Sequence, residues 1–193
     1  MTISNKLTLL RLCFGPLFWL FFLAIGSIWA LFIAFAIIVA TEVSDLLDGY
    51  FARKRGEGTD FGKLLDPFAD SVSRYSYFLC FTGYDFVNGP SDAVPIILVL
   101  LIFYRDATVS FLRSIAAGQS IIVAARKSGK IKAIIQAIAN HIIVASVILQ
   151  KFFPTFPDGY IAFVMMVIVT LYTVWSAYDY VSGNIDVIRR TNM

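Results

Sequence analysis

Asp45-Leu46-Leu47-Asp48-Gly49-Tyr50-Phe51-Ala52-Arg53, followed after a glycine-bearing connector by Gly62-Lys63-Leu64-Leu65-Asp66-Pro67-Phe68-Ala69-Asp70, sets four aspartates in a chain that is otherwise mostly apolar. On a helix, Asp45, Asp48, Gly49 and Ala52 fall at i, i+3, i+4 and i+7, which is one face. Gly62, Asp66 and Asp70 fall at i, i+4 and i+8, again one face. Two helices joined by a short turn therefore aim four carboxylates at one point. Left uncompensated they repel, so the arrangement asks for a cation, and hard oxygen ligands select Mg²⁺ or Mn²⁺. Solvated or salt-bridged carboxylates at helix ends are the plainer alternative. It is disfavoured because ionisable groups in apolar spans are costly and functional by default. The small residues beside the carboxylates let a flat ligand approach the backbone.

Outward from this stretch the chain is a membrane protein. Of its 193 residues 59% are hydrophobic, and mean hydropathy is +0.77, a composition that would leave a soluble domain with large apolar patches. The expected fold is all-α: a six-transmembrane-helix bundle with a short N-terminal interfacial helix, forming one domain over residues 1–193. Met1–Leu12 reads as the interfacial helix, with Asn5, Thr8 and Arg11 on one face at three-residue steps. The spans are expected at about 9–25, 28–50, 60–81, 93–117, 131–153 and 160–181, by apolar run length and turn signals. Gly15-Pro16 and Pro67 are expected to bend their helices. The amino end lacks a small-x-small cleavage site, which argues against a signal peptide.

Lys and Arg gather at the amino end, in the second and fourth connectors and in the tail. The first, third and fifth connectors hold only Lys151 among them, so both termini and the aspartates are placed on the cytoplasmic side. Cys13 and Cys80 lie in apolar runs without metal-ligand neighbours and read as thiols buried in lipid or core. A lone His141 on the fifth span reads as a packing residue. Glu42, one turn before Asp45, reads equally as support for the site or as an intramembrane hydrogen-bonding group. Arg74, four residues after Asp70, is placed to pair with it. The tyrosines that close the sixth span, with Trp175, suit an interfacial belt.

The pattern D-x2-D-G-x2-A-R-x8-G-x3-D-x3-D is met in full by Asp45, Asp48, Gly49, Ala52, Arg53, Gly62, Asp66 and Asp70, eight fixed positions within 26 residues. It resembles the CDP-alcohol phosphotransferase family. The resemblance implies attack by an alcohol on the β-phosphate of a CDP-activated lipid, with CMP leaving. It implies Asp45, Asp48, Asp66 and Asp70 as ligands of a pair of Mg²⁺ or Mn²⁺ ions, with Asp70 also the general base. Gly49, Ala52 and Gly62 would line the cytidine, and Arg53 would hold the diphosphate. Similar proteins carry Asn-x-x-Thr-x-x-Arg near the amino end, which puts Asn5 and Thr8 beside the nucleotide. A homodimer in the cytoplasmic membrane is implied as well, with no nucleic-acid partner.

Two further segments, Thr59–Pro67 and Arg105-Asp106 … Arg113 … Gly129-Lys130-Ile131-Lys132 … Gln136, resemble the phosphatidylglycerophosphate synthase branch of that family. The implied substrates are CDP-diacylglycerol and sn-glycerol 3-phosphate, whose phosphate would meet Arg105, Arg113, Lys130 and Lys132. Arginine suits phosphate through its bidentate fork, whereas topology alone would account for some of these charges. One departure is plain. A lysine commonly follows the last aspartate in that branch, whereas this chain has Ser71, with Arg74 the next basic residue. The alternatives are the same chemistry on phosphatidylglycerol, inositol phosphate or serine, a cation transporter using intramembrane aspartates, and an assembly or anchor protein.

Overall fold

The computed structural model describes residues 3–24, 27–55, 60–82, 93–118 and 126–185, with side chains described at 6–23, 27–47, 68–82, 93–113 and 126–185. Six helices follow in order: α1 (Ile3–Trp19), α2 (Ile28–Arg55), α3 (Asp60–Thr82), α4 (Ala93–Gly118), α5 (Lys127–Phe152) and α6 (Asp158–Ser182). A π-helical turn, Leu20–Ala24, extends α1. No strand occurs among the described residues. All of α1, α2, α4, α5 and α6 carry segments long and apolar enough to cross a bilayer. They make this a multi-pass membrane protein. The exception, α3, spends its length on Asp60, Lys63, Asp66, Asp70 and Arg74.

Helix boundaries follow the apolar runs closely, with two differences. First, the expected interfacial helix at Met1–Leu12 is not a separate element, because α1 runs unbroken from Ile3 to Trp19. Thr8 and Arg11 are fully buried, so the polar face of this segment turns into the bundle and not onto a membrane surface. Second, the charged connector expected over Arg53–Lys63 is shorter, since α2 runs on to Arg55 and α3 begins at Asp60. Both α1 and α3 continue as helices through Pro16 and Pro67, and the π-helical turn begins one turn after Pro16. A proline removes one backbone bond, and an apolar surround favours keeping the rest. The turn expected at Asn88-Gly89-Pro90 lies outside the described residues. The turn before α6 is present: the Phe156 amide donates to the carbonyl of Phe153 at 2.8 Å.

Packing starts from the aromatic residues of α1 and α3. Phe18 meets Tyr77 at 4.8 Å between ring centroids and Phe81 at 5.9 Å, while Phe22 meets Phe81 at 5.4 Å, all edge-on. Edge-to-face contacts suit the ring quadrupoles. The core continues through Ile38, Ile102, Ile143, Val147 and Met166, so all six helices contribute. At Gly15 the backbone of α1 approaches α3 so closely that an added Cβ would lie 3.0 Å from Cβ and Oγ of Ser76. Small residues bring membrane helices together in this way. Trp19 Nε1 seals the contact by donating to the Ser76 carbonyl at 2.8 Å.

The surface is the reverse of a soluble protein's. Trp29, Leu46, Phe111 and Leu171 face outward, while Arg11, Arg74, Arg105, Lys132, Gln136 and Asn140 are buried. Apolar side chains facing lipid and charges facing the bundle interior are what a bilayer demands. His141 packs as expected, with Nδ1 2.8 Å from the Ala137 carbonyl and its ring edge-on to Phe35. Cys80 is in the core and Cys13 on the outer surface of α1, both unpaired.

Candidate active site

Thr41 of α2 and Tyr77 of α3 share a buried hydroxyl–hydroxyl hydrogen bond of 2.6 Å. This fixes the register of the two antiparallel helices. At 1.5 Å rise per residue, Asp45 and Asp48 stand about 6 and about 10 Å along α2 from Thr41. Asp70 and Asp66 stand about 10 and about 16 Å along α3 from Tyr77, in the same direction in space. The backbone thus brings both acidic segments to one end of the bundle.

Two of the four carboxylates belong to described side chains, and each is held by an arginine. Arg11, 0% exposed on α1, reaches Asp45 Oδ1 at 2.9 Å; the Asp45 side chain is 44% exposed. The carbonyl of Arg11 accepts from Ser73 Oγ at 3.1 Å, so α1 is clamped between α2 and α3. On α3 itself, Arg74 Nη1 reaches Asp70 Oδ2 at 2.7 Å, the pairing expected from the spacing. The side chains of Asp48 and Asp66 lie outside the described residues, as do those of Asn5, Gly49, Ala52, Arg53 and Gly62. Among the described residues no group of three or more metal-ligating side chains forms. The donors fit a divalent ion in character: they are hard carboxylate oxygens, and the two described ones already draw a cation each.

Beside Asp70 opens a cavity of about 240 Å³. Six basic side chains line it: Arg74 of α3, Arg105 and Arg113 of α4, Arg126, and Lys130 and Lys132 of α5. Asp70, Ser71, Gly129, Ala133 and Tyr180 complete the wall. All four acceptor candidates therefore converge on one space, two from α4 and two from α5. Ser71 and Arg74 both line it, so the site that lacks a lysine after Asp70 receives its cation one turn further along α3.

Several groups at the cavity were not singled out by sequence reasoning. Asp106 Oδ1 accepts from Arg105 Nη1 and from Lys132 Nζ, each at 2.8 Å. Ser176 Oγ accepts from Arg105 Nη2 at 2.9 Å. Asp179 pairs with Arg126 at 3.0 Å and accepts from Ser128 Oγ at 2.6 Å. Arg113 Nε donates to the Tyr180 hydroxyl at 3.3 Å. Tyr180 is thus a correction to the belt reading: it is buried against α4, whereas Tyr178 and Trp175 face outward. Asp106 and Asp179 carry a signal, since each is a carboxylate in or beside an apolar run; which cation pairs with each is not readable from the spacing.

A bundle of membrane helices that sets paired carboxylates against a basic cavity defines a class of protein: a membrane enzyme for phosphate esters. The chain belongs to the CDP-alcohol phosphatidyltransferase family, whose profile matches residues 1–175. Members of this family generally depend on a divalent metal. The chain is 31% identical over 204 aligned positions to the CDP-diacylglycerol--glycerol-3-phosphate 3-phosphatidyltransferase of Bacillus subtilis (strain 168), covering 98% of each. It is 40% identical over 89 residues to the protein so named in Treponema pallidum (strain Nichols), a match spanning 46% of this chain and 38% of that one. A probable phosphatidylglycerophosphate synthase of Mycobacterium tuberculosis (strain ATCC 25618 / H37Rv) is 31% identical, over 93% of this chain and 80% of that protein.

Proposed function

We propose that this protein transfers the phosphatidyl group of CDP-diacylglycerol to sn-glycerol 3-phosphate, giving phosphatidylglycerophosphate and CMP. The observation that carries this reading is the basic cavity opening directly beside Asp70. A phosphorylated acceptor fits there, its phosphate among Arg105, Arg113, Lys130 and Lys132 and its hydroxyl toward the carboxylate.

In this mechanism Asp70 takes the proton of the acceptor hydroxyl as the oxygen attacks the lipid-bearing phosphorus. The new P–O ester bond forms, the pyrophosphate P–O bond breaks, and the bridging oxygen leaves with CMP. Arg74 orients Asp70, and Arg11 orients Asp45. A divalent ion, Mg²⁺ or Mn²⁺ and two in number, would be held by Asp45, Asp48, Asp66 and Asp70, offsetting charge on the diphosphate. Asn5, Thr8, Gly49, Ala52, Arg53 and Gly62 bind the nucleotide and diphosphate; their helices α1, α2 and α3 surround the acidic end.

The lipid's acyl chains stay in the bilayer while the acceptor enters from the cytoplasm. In this arrangement one domain over residues 1–193 crosses the cell membrane six times, α3 making the sixth crossing beside the five apolar spans, with both termini and the site on the cytoplasmic side. The positive-inside distribution of Lys and Arg supports that orientation. The family resemblance supports a homodimer. Purified protein supplied with CDP-diacylglycerol and Mg²⁺ should release CMP when glycerol 3-phosphate is added. Release with inositol phosphate, serine or phosphatidylglycerol, and none with glycerol 3-phosphate, would reassign the acceptor.

A further inference from the structure

We propose that Asp106 is a positioning residue for the anion-binding cavity, tying Arg105 and Lys132 into one fixed pair of cations. The inference rests on the reading that the acceptor phosphate occupies this cavity.

Its basis is one oxygen atom. Asp106 Oδ1 accepts from Arg105 Nη1 and from Lys132 Nζ, both at 2.8 Å, so the two nitrogens are no farther apart than twice that length. Both cations are almost fully buried. Two positive charges this close in a poorly polarisable interior repel strongly. The carboxylate oxygen removes the repulsion and fixes where each charge points. Ser176 Oγ holds the opposite end of the guanidinium at 2.9 Å, so α4, α5 and α6 meet at this one group. Arg105 and Lys132 line the cavity, whereas Asp106 is not part of its wall. The carboxylate acts on the ligand through them.

The other cations are treated differently. Arg74 pairs with Asp70 and Arg126 with Asp179, one cation to each carboxylate. Among the described residues, no carboxylate pairs with Arg113 or Lys130. Those two line the cavity with no carboxylate partner among the described residues and are the cations offered to an incoming phosphate. The triad of Arg105, Asp106 and Lys132 supplies a fixed frame. A site held rigid before binding does not spend binding energy on ordering itself.

The test compares Asp106→Asn and Arg113→Ala with the unaltered full-length protein in detergent micelles. It measures KM for glycerol 3-phosphate, KM for CDP-diacylglycerol and inhibition by inorganic phosphate. Asp106→Asn should raise the acceptor KM about 10-fold, weaken phosphate inhibition by a similar factor, and leave the CDP-diacylglycerol KM within about twofold. Were Asp106 only a charge offset, its removal would make the cavity more positive and lower the acceptor KM. A lowered or unchanged acceptor KM, or both KM values rising together, therefore overturns the proposal. Arg113→Ala separates the two levels. A raised acceptor KM there, with none in Asp106→Asn, sinks the positioning role alone. No rise in either variant removes the acceptor from this cavity, whereas a failure of the unaltered protein to release CMP with glycerol 3-phosphate overturns the proposed function itself. Should Asp106→Asn not fold, Ser176→Ala frees the same guanidinium without changing charge. It should raise the acceptor KM about threefold, within the range of one lost hydrogen bond, and no rise overturns the proposal.

Discussion

Arg74 and Asp70 lie one turn apart on α3, joined at 2.7 Å, and both line the basic cavity. That pair links the acidic end of the motif to the basic cavity. One helix therefore presents both the carboxylate proposed as the base and the cation that pairs with it.

Replacing Asp70 by Asn keeps its shape and removes its basicity. The rate of CMP release should fall by about 10²- to 10⁴-fold, the usual contribution of a positioned base. Measured at saturating acceptor, an activity within threefold of the unaltered protein would remove Asp70 from the chemistry.

Arg11 should matter for stability as well as activity. Its guanidinium is fully buried, and Arg11→Ala leaves both a void and an unpartnered Asp45. Breaking a buried pair costs about 3–5 kcal/mol, and the partial exposure of Asp45 reduces this to about 2 kcal/mol. Thermal unfolding in detergent should show the drop, and Arg11→Lys should recover part of it by restoring the charge but not the fork.

Gly15 should tolerate nothing large. Its Cβ position already lies 3.0 Å from Ser76, and Trp19 fixes the same contact. Gly15→Leu should push α1 from α3 and lower the unfolding temperature by several degrees, as about 1–3 kcal/mol of overpacking implies. Gly15→Ala should cost less but not nothing, because turning Ser76 moves its Oγ away while its Cβ, fixed to the backbone, stays 3.0 Å from the added methyl.

Chelation should abolish CMP release, and Mg²⁺ or Mn²⁺ should restore it while Ca²⁺ does not match it. Carboxylate sites accept all three, but Ca²⁺ takes longer bonds and more ligands. Full activity in excess chelator would exclude a divalent ion from the reaction.

Much of this molecule is written locally. The apolar runs demand helices, because a bilayer leaves the backbone no other partner. The spacing of Asp45, Asp48, Asp66 and Asp70 puts carboxylates on single faces by helical period alone. The pairing of Arg74 with Asp70 is legible for the same reason, since i and i+4 are neighbours on any helix. At the amino end, amphipathicity shows that one face of α1 is polar, not what that face meets. Here it meets Asp45.

What the order of residues determined is therefore the helices, the acidic motif and the inventory of cations. Only the tertiary structure decided the partners: Arg11 with Asp45 across α1 and α2, Lys132 with Asp106 across α5 and α4, and Tyr180 with Arg113 across α6 and α4. Periodicity specifies what each helix presents on each face. Which faces meet, and at what height, depends on close contacts such as Gly15 on Ser76 and Thr41 on Tyr77, and these arise only when the whole bundle packs.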